Sequence, residues 1–265
     1  MKLGILGCGN MGEAFLQSIL ERKIISLADI LVCDLDPKRR EVLSRKYDVA
    51  TTDKVQELVN QELLLLAIKP QNLRDLPVIE KETIIISMLA GTSVSKLKTK
   101  FPQAKIVRIM PNLGQFVGLG MTGVFWDKKI SFSSTEKEII QLILTSDAKV
   151  LELEKEDLLD KLAAISGSGP AYFLSFAENI VVAAQELGFT EKEAELLVRQ
   201  TFVGTAKILQ ENPEDSLAEW RDKVTSPQGT TAEALRSFKK NDLERIVLSA
   251  VRAAEKRAGE INQEN

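Results

Sequence analysis

The chain has 265 residues, 44% hydrophobic and 28% charged, with a formal net charge of −3. At about 150 residues per domain this is material for two domains with sizeable cores, which excludes a disordered chain. The charge balance excludes the basic footprint of a nucleic-acid binder, and the absence of histidine excludes Ser-His-Asp catalysis, Cys-His catalysis and every His-containing metal site.

In chain order, short apolar runs come first: Leu3–Leu6, Ile30–Cys33, Leu63–Ile68, Ile84–Ser87 and Ile106–Met110. None alternates polar with apolar, as expected for strands covered on both faces. Helical patterns separate them, as at Met11–Arg22 and Pro37–Lys46. This alternation predicts a doubly wound α/β domain. Glycines 114, 118, 120 and 123 then punctuate a loop-rich stretch before a predicted strand at Met121–Trp126. Ser133 with Glu136 predicts a helix cap, and Ala148–Leu153 a last strand. From Glu154 onward the pattern is helical. Thr190 with Glu193 reads as a capping box after the stop at Gly188, Pro213 as the start of a helix, and Asn241-Asp242 as the opening of the last one. The predicted boundary lies near residue 152, giving an α/β domain over 1–152 and an all-helical domain over 153–265.

Ala171–Ala184 carries few polar residues around its circumference. Such a helix needs cover on several sides, and a second copy of the chain is the natural source in a small helical domain. Burial within one chain is the alternative. Cys8 and Cys33 form no CxxC pair, so a reducing compartment is expected. Met1-Lys2 runs directly into a predicted strand, and the uncharged run Leu162–Ala177 is too short and interrupted to span a bilayer. A cytoplasmic protein without a membrane or nucleic-acid partner is expected.

Gly7-Cys8-Gly9-Asn10-Met11-Gly12 is G-x-G-x-x-G, placed between a strand and a helix as dinucleotide binding requires. Gly7 suits the tight turn, Gly9 the approach of a pyrophosphate, and Gly12 close helix–strand contact. Asp34, 22 residues beyond Gly12, ends the second strand, where an acid accepts from the adenosine ribose. Its charge disfavours a 2′-phosphate, so NAD(P)H is the expected cofactor with NADH slightly favoured. Lys38, Arg39 and Arg40 either counteract that charge or form a solvated first helical turn, the second being favoured. Cys8 reads as a small residue fitting the loop.

Three more segments are rich in turn residues: Val107–Asn112, Ser166–Tyr172 and Val224–Thr231. Singly, each reads as a helix cap. With the N-terminal motif, and with Ala67-Ile68-Lys69-Pro70-Gln71, the chain resembles pyrroline-5-carboxylate reductases over essentially its whole length. The resemblance implies an N-terminal Rossmann-type sheet followed by a helical dimerisation domain. It implies a homodimer, or a higher oligomer of dimers, that reduces 1-pyrroline-5-carboxylate to L-proline. Leu6 to Met11 would hold the cofactor phosphates. Ala67, Ile68, Lys69 and Pro70 would line the cleft with Met88, Leu89 and Ala90, and Asn112 would lie close to the nicotinamide. Gly229, Thr230 and Thr231 would bind the substrate carboxylate through backbone N–H groups, with Ser226 shaping the loop. Thr231 would also face the ring nitrogen as the catalytic residue. Two positions depart from the family pattern: Leu113-Gly114 stands for Thr-Pro, and Gln228 for glycine. The alternatives are a dinucleotide-binding regulatory paralogue without turnover, and a β-hydroxyacid-dehydrogenase-like enzyme. The second is disfavoured because residues 170–187 lack the lysine such enzymes use.

Overall fold

The computed structural model describes residues 1–145 and 148–264, the last four of these by backbone alone. The chain opens with β1 (Leu3–Leu6), α1 (Asn10–Glu21), β2 (Ile30–Cys33), α2 (Pro37–Tyr47), β3 (Ala50–Thr52), β4 (Leu63–Leu66) and β5 (Ile84–Ser87). There follow α3 (Val94–Lys100), β6 (Lys105–Met110), β7 (Gly120–Trp126), α4 (Ser134–Thr145) and β8 (Ala148–Glu152). Helices complete it: α5 (Leu158–Leu162), a π-helical turn over Ala163–Gly167, α6 (Gly169–Glu186), α7 (Glu191–Glu211), α8 (Leu217–Lys223), α9 (Thr230–Lys240) and α10 (Leu243–Glu264).

Among the described residues the eight strands form one sheet, ordered β3-β2-β1-β4-β5-β6-β7-β8. All neighbours are parallel except β6 and β7. That exception corrects an all-parallel expectation. Its reason is length, because residues 111–119 are fewer than the dozen or so that a parallel crossover needs. β1, β4 and β5 are buried at every position, since both faces of the sheet are covered. Phe15, Leu16 and Ile19 of α1 join Ile140, Ile143 and Leu144 of α4 on one face. Leu58, Leu73, Leu97 and Phe101 cover the other.

Two elements differ from the sequence reading. β3 went unpredicted because Ala50-Thr51-Thr52 has little hydrophobicity of its own; pairing with β2 makes it a strand. Pro213 lies in a turn, and α8 starts only at Leu217. Ser216 and Glu219 form the capping box there, supplying acceptors that Pro213 does not.

By packing, the chain divides into two units: residues 1–168 with α10 from Ala254 onward, and residues 169–253. The sheet ends at Glu152, while α5 and the π-turn pack with the sheet unit. In the second unit α6 packs on α7, with Phe173 and Phe202 ring centroids 6.4 Å apart. Burial of α6 inside its own chain is not what is found: Phe173 stays 62% exposed and Leu174 54%. Among the described residues, no helix is long and apolar enough to cross a membrane.

Candidate active site

The Gly7–Gly12 loop shows a different constraint at each glycine. Gly7 has φ 79°, and a Cβ there would lie 2.7 Å from Ile68 Cγ2. A Cβ on Gly12 would lie 2.6 Å from the Gly7 carbonyl. A Cβ on Gly9 would meet nothing within 4 Å, so the backbone is open to close approach there. These are the turn, the packing contact and the approach that a pyrophosphate site needs. Gly9 is the N-cap of α1 and offers no side-chain acceptor. The N–H groups of Asn10, Met11 and Gly12 therefore lack intrahelical partners and suit a phosphate.

Asp34 fixes this loop from the end of β2. Its Oδ2 accepts from Cys8 N at 2.8 Å and its Oδ1 from Asp36 N at 3.0 Å. The carboxylate keeps further lone pairs for ribose hydroxyls. One cleft brings together Leu6, Gly7, Gly9, Asp34, Ala67, Ile68 and Lys69. It lies at the carboxyl ends of β1, β2 and β4, where strand order reverses about β1. Pro70 opens the 3₁₀ turn after Lys69. Cys8 is fully buried under the loop, and burial pushes its thiol up to about 12, in keeping with a small residue that fits the loop.

Arg39 and Arg40 are not a solvated turn. Arg39 Nε donates to the Cys8 carbonyl at 2.6 Å, and its guanidinium reaches the Gly9 carbonyl and Glu13. Arg40 donates to the Asp34 carbonyl at 2.8 Å. Lys38 remains exposed. Glu13 also accepts from Lys46 at 2.9 Å and from the Tyr47 hydroxyl at 2.8 Å. Burial raises the Glu13 carboxyl, but the bonds from Lys46, Tyr47 and Arg39 outweigh it and hold it at about 2. The first turn of α2 is thus tied to the carbonyl side of the phosphate loop.

Met88, Leu89 and Ala90 follow β5; Leu89 is buried, Met88 half-buried and Ala90 exposed. Ala90 borders a second hollow with Gly91, Met110, Asp160 and Ser168. Asn112 stands just beyond β6 with its amide committed. Oδ1 accepts from Gly114 N at 3.1 Å and Met121 N at 3.0 Å, and Nδ2 donates to Ser166 Oγ at 3.2 Å. The departure at Leu113-Gly114 has a structural counterpart here, because a proline at 114 has no N–H to give Asn112.

In the second unit, Ser226–Gly229 makes a turn into α9. The Gly229 N–H donates to the Ser226 carbonyl at 3.0 Å. Of the three N–H groups expected to meet a carboxylate, that of Gly229 is thus engaged within the turn. Thr230 and Thr231 open α9 after an N-cap without a side-chain acceptor, so their N–H groups have no intrahelical partner. A Cβ on Gly229 would sit 2.2 Å from Ser226 Oγ and 3.1 Å from the Ser226 carbonyl, so a side chain there would have to turn the Ser226 hydroxyl away. Gln228 has φ 61°, which gives the glycine of the family pattern its reason.

Sequence reasoning gave no role to Arg108 and Ser166, although both lie in its turn-rich segments, and missed Glu13, Tyr47 and Glu156 as parts of the site's framework. No spacing announces them, because their partners lie up to 62 residues away in sequence. Glu13 alone had a local signal, as an acid in the first turn of α1.

A sheet of this order, with this phosphate loop and a helical second unit, defines a dinucleotide-dependent oxidoreductase. Residues 156–261 match the family model described as pyrroline-5-carboxylate reductase dimerisation, and residues 2–91 one described as NADP oxidoreductase, coenzyme F420-dependent. A pyrroline-5-carboxylate reductase of Synechocystis sp. is 34% identical, with 99% of each chain covered. The structure of one from Coxiella burnetii has a TM-score of 0.88 and 29% identity, covering 98% of each chain. That of Plasmodium falciparum pyrroline carboxylate reductase with NADP bound has a TM-score of 0.83 and 28% identity, covering 99% of this chain and 98% of that one. The chain belongs to the pyrroline-5-carboxylate reductase family.

Proposed function

We propose that this chain reduces 1-pyrroline-5-carboxylate to L-proline with NAD(P)H. The observation that carries the reading is the start of α9. Its N–H groups at Thr230 and Thr231 have no side-chain cap and stand beside two hydroxyls, and the acid of that first turn, Glu233, is paired with Arg236, so the helix start suits a small carboxylate. The cleft of the other unit fits a dinucleotide at its three glycines and at Asp34.

When bound, a nicotinamide cofactor would supply the hydride for C5 of the imine. The C=N π pair then passes to a nitrogen already protonated from water, giving a secondary amine. The chain's share is to hold and orient. Gly9 and the start of α1 hold the phosphates, Asp34 the adenosine ribose, and Ala67 to Pro70 with Met88 to Ala90 line the cleft. Asn112 keeps the β6–β7 loop in place through Gly114 and Met121. Thr230 and Thr231 bind the carboxylate, Ser226 and Gly229 shape their turn, and the Thr231 hydroxyl orients the ring nitrogen. An imine nitrogen is basic enough that no strong side-chain acid is needed, in keeping with a chain without histidine. The proposal includes a homodimer through the helical unit, NADH slightly favoured, and a reducing cytoplasmic setting supported by two buried free thiols.

The test is a steady-state assay with NADH and with NADPH. Dinucleotide oxidation is expected only when pyrroline-5-carboxylate is present, with proline as product. No proline at millimolar imine with either cofactor would overturn the reading.

A further inference from the structure

Arg108 sits in the middle of β6, 3% exposed in an otherwise largely apolar strand, and the reduction gives its side chain no part. Desolvating a guanidinium is costly, and taking away one partner of a buried pair leaves the other charge uncompensated. Nη1 donates to Glu156 Oε1 at 2.8 Å, and Nη2 lies 3.7 Å from Asp160 Oδ1. Lys96 and Asp157 border the same hollow.

Glu156 has a second task. The same Oε1 accepts from Val94 N at 2.6 Å. Val94 begins α3, directly after the turn Met88–Ser93 that leaves β5. That turn passes through a left-handed glycine, Gly91, at φ 63°. β5 and β6 are neighbours, with Ser87 opposite Arg108. A closed circuit therefore runs from β6 through Arg108 and Glu156 to the far end of the turn, and back along β5.

The pyrophosphate loop follows β1 and the ribose acid follows β2, so the other half of a dinucleotide extends over the ends of β4 and β5. The clamped turn lies on that side. We infer that Arg108 and Glu156 are positioning residues for the nicotinamide half of the cofactor cleft. Glu156 fixes the Met88–Ser93 turn, and Arg108 fixes Glu156. The inference rests on the dinucleotide reading of the cleft and not on the identity of the imine. Among the described residues, the contacts of Arg108 and Glu156 do not reach the Gly7–Gly12 loop or Asp34.

The test is calorimetric binding to the full chain, with NADH set against ADP-ribose and NADPH against 2′-phospho-ADP-ribose. Glu156→Ala is expected to weaken the reduced dinucleotide about tenfold or more, the scale of one charge-assisted bond, and the ribose fragment by less than about twofold. Glu156→Gln, which still accepts from Val94 N, should recover most of the loss. In the unliganded protein, amide exchange at Val94 should quicken in Glu156→Ala and not in Glu156→Gln. Arg108→Lys, which keeps charge but not the planar fork, should show the same split between ligands at smaller size. Equal weakening of dinucleotide and fragment would mean a merely structural pair and overturn the inference, as would no weakening of either. Binding of neither ligand by the unaltered chain would overturn the dinucleotide reading itself, and this inference with it.

Discussion

Asp34 holds the phosphate loop through Cys8 N while keeping acceptor capacity for a ribose. A 2′-phosphate would meet that carboxylate, and both neighbouring guanidiniums are engaged, Arg39 with Glu13 and two loop carbonyls and Arg40 with the Asp34 and Leu35 carbonyls and Asp53. NADH is therefore expected to serve at least as well as NADPH, and Asp34→Ser to shift kcat/KM toward NADPH. A wild-type preference for NADPH above about tenfold, roughly 1.4 kcal/mol, would sink this. Thr231→Ala is expected to lose one neutral hydrogen bond, about 0.5–1.5 kcal/mol or a two- to twelvefold fall in kcat/KM, with proline affinity little changed. A drop of about a thousandfold would instead make the hydroxyl an essential proton donor. At Gln228 the left-handed backbone costs a side chain about 1–2 kcal/mol, against about 0.5–1 for the entropy of glycine. Gln228→Gly should thus raise the urea midpoint slightly, and Gln228→Val should lower it.

Between elements, Glu13 fastens α1 to α2 through Arg39, Lys46 and Tyr47. Its carboxyl is held at about 2, below the ordinary 4.5. A depressed acid contributes stability that is fully present above its unfolded pKa and lost as pH falls through the folded one. Stability should therefore decline between about pH 4.5 and 2, and Glu13→Gln should flatten that part of the profile. Denaturant midpoints at pH 5 and pH 2.5 for both proteins provide the check; parallel profiles would refute the clamp. Strands β1, β2 and β5 and the start of α2 were legible because short apolar runs and a proline at the first helical turn are local signals. The clamp was not, since it joins residues up to 34 apart.

For the whole molecule, the helical unit leaves Phe173, Leu174, Val182 and Val203 exposed, at 62%, 54%, 54% and 60%. Exposed large apolar side chains on neighbouring helices mark an association surface. The match of residues 156–261 to a dimerisation family agrees with this. Analytical ultracentrifugation at micromolar concentration should show a dimer or a multiple of it. A folded monomer there would contradict the expectation. Opening this surface with Phe173→Glu should yield less dimer, because an isolated charge cannot be buried at an apolar contact without large cost.

The sequence by itself determined the strand and helix alternation, the glycine turn between β1 and α1, the place of Asp34 after β2, and the turn that leads into α9. Each depends on local chemistry: glycine where backbone must turn or be approached, unbroken apolar runs where both faces are covered. Only the tertiary structure decided that β7 runs antiparallel, that the Gly229 N–H is held within its turn, and that Arg39 grips loop carbonyls. It alone joined Arg108, Glu156 and Val94. Long-range pairing of this kind follows from which strand ends the sheet order brings together, and a linear sequence carries no local signal for that order.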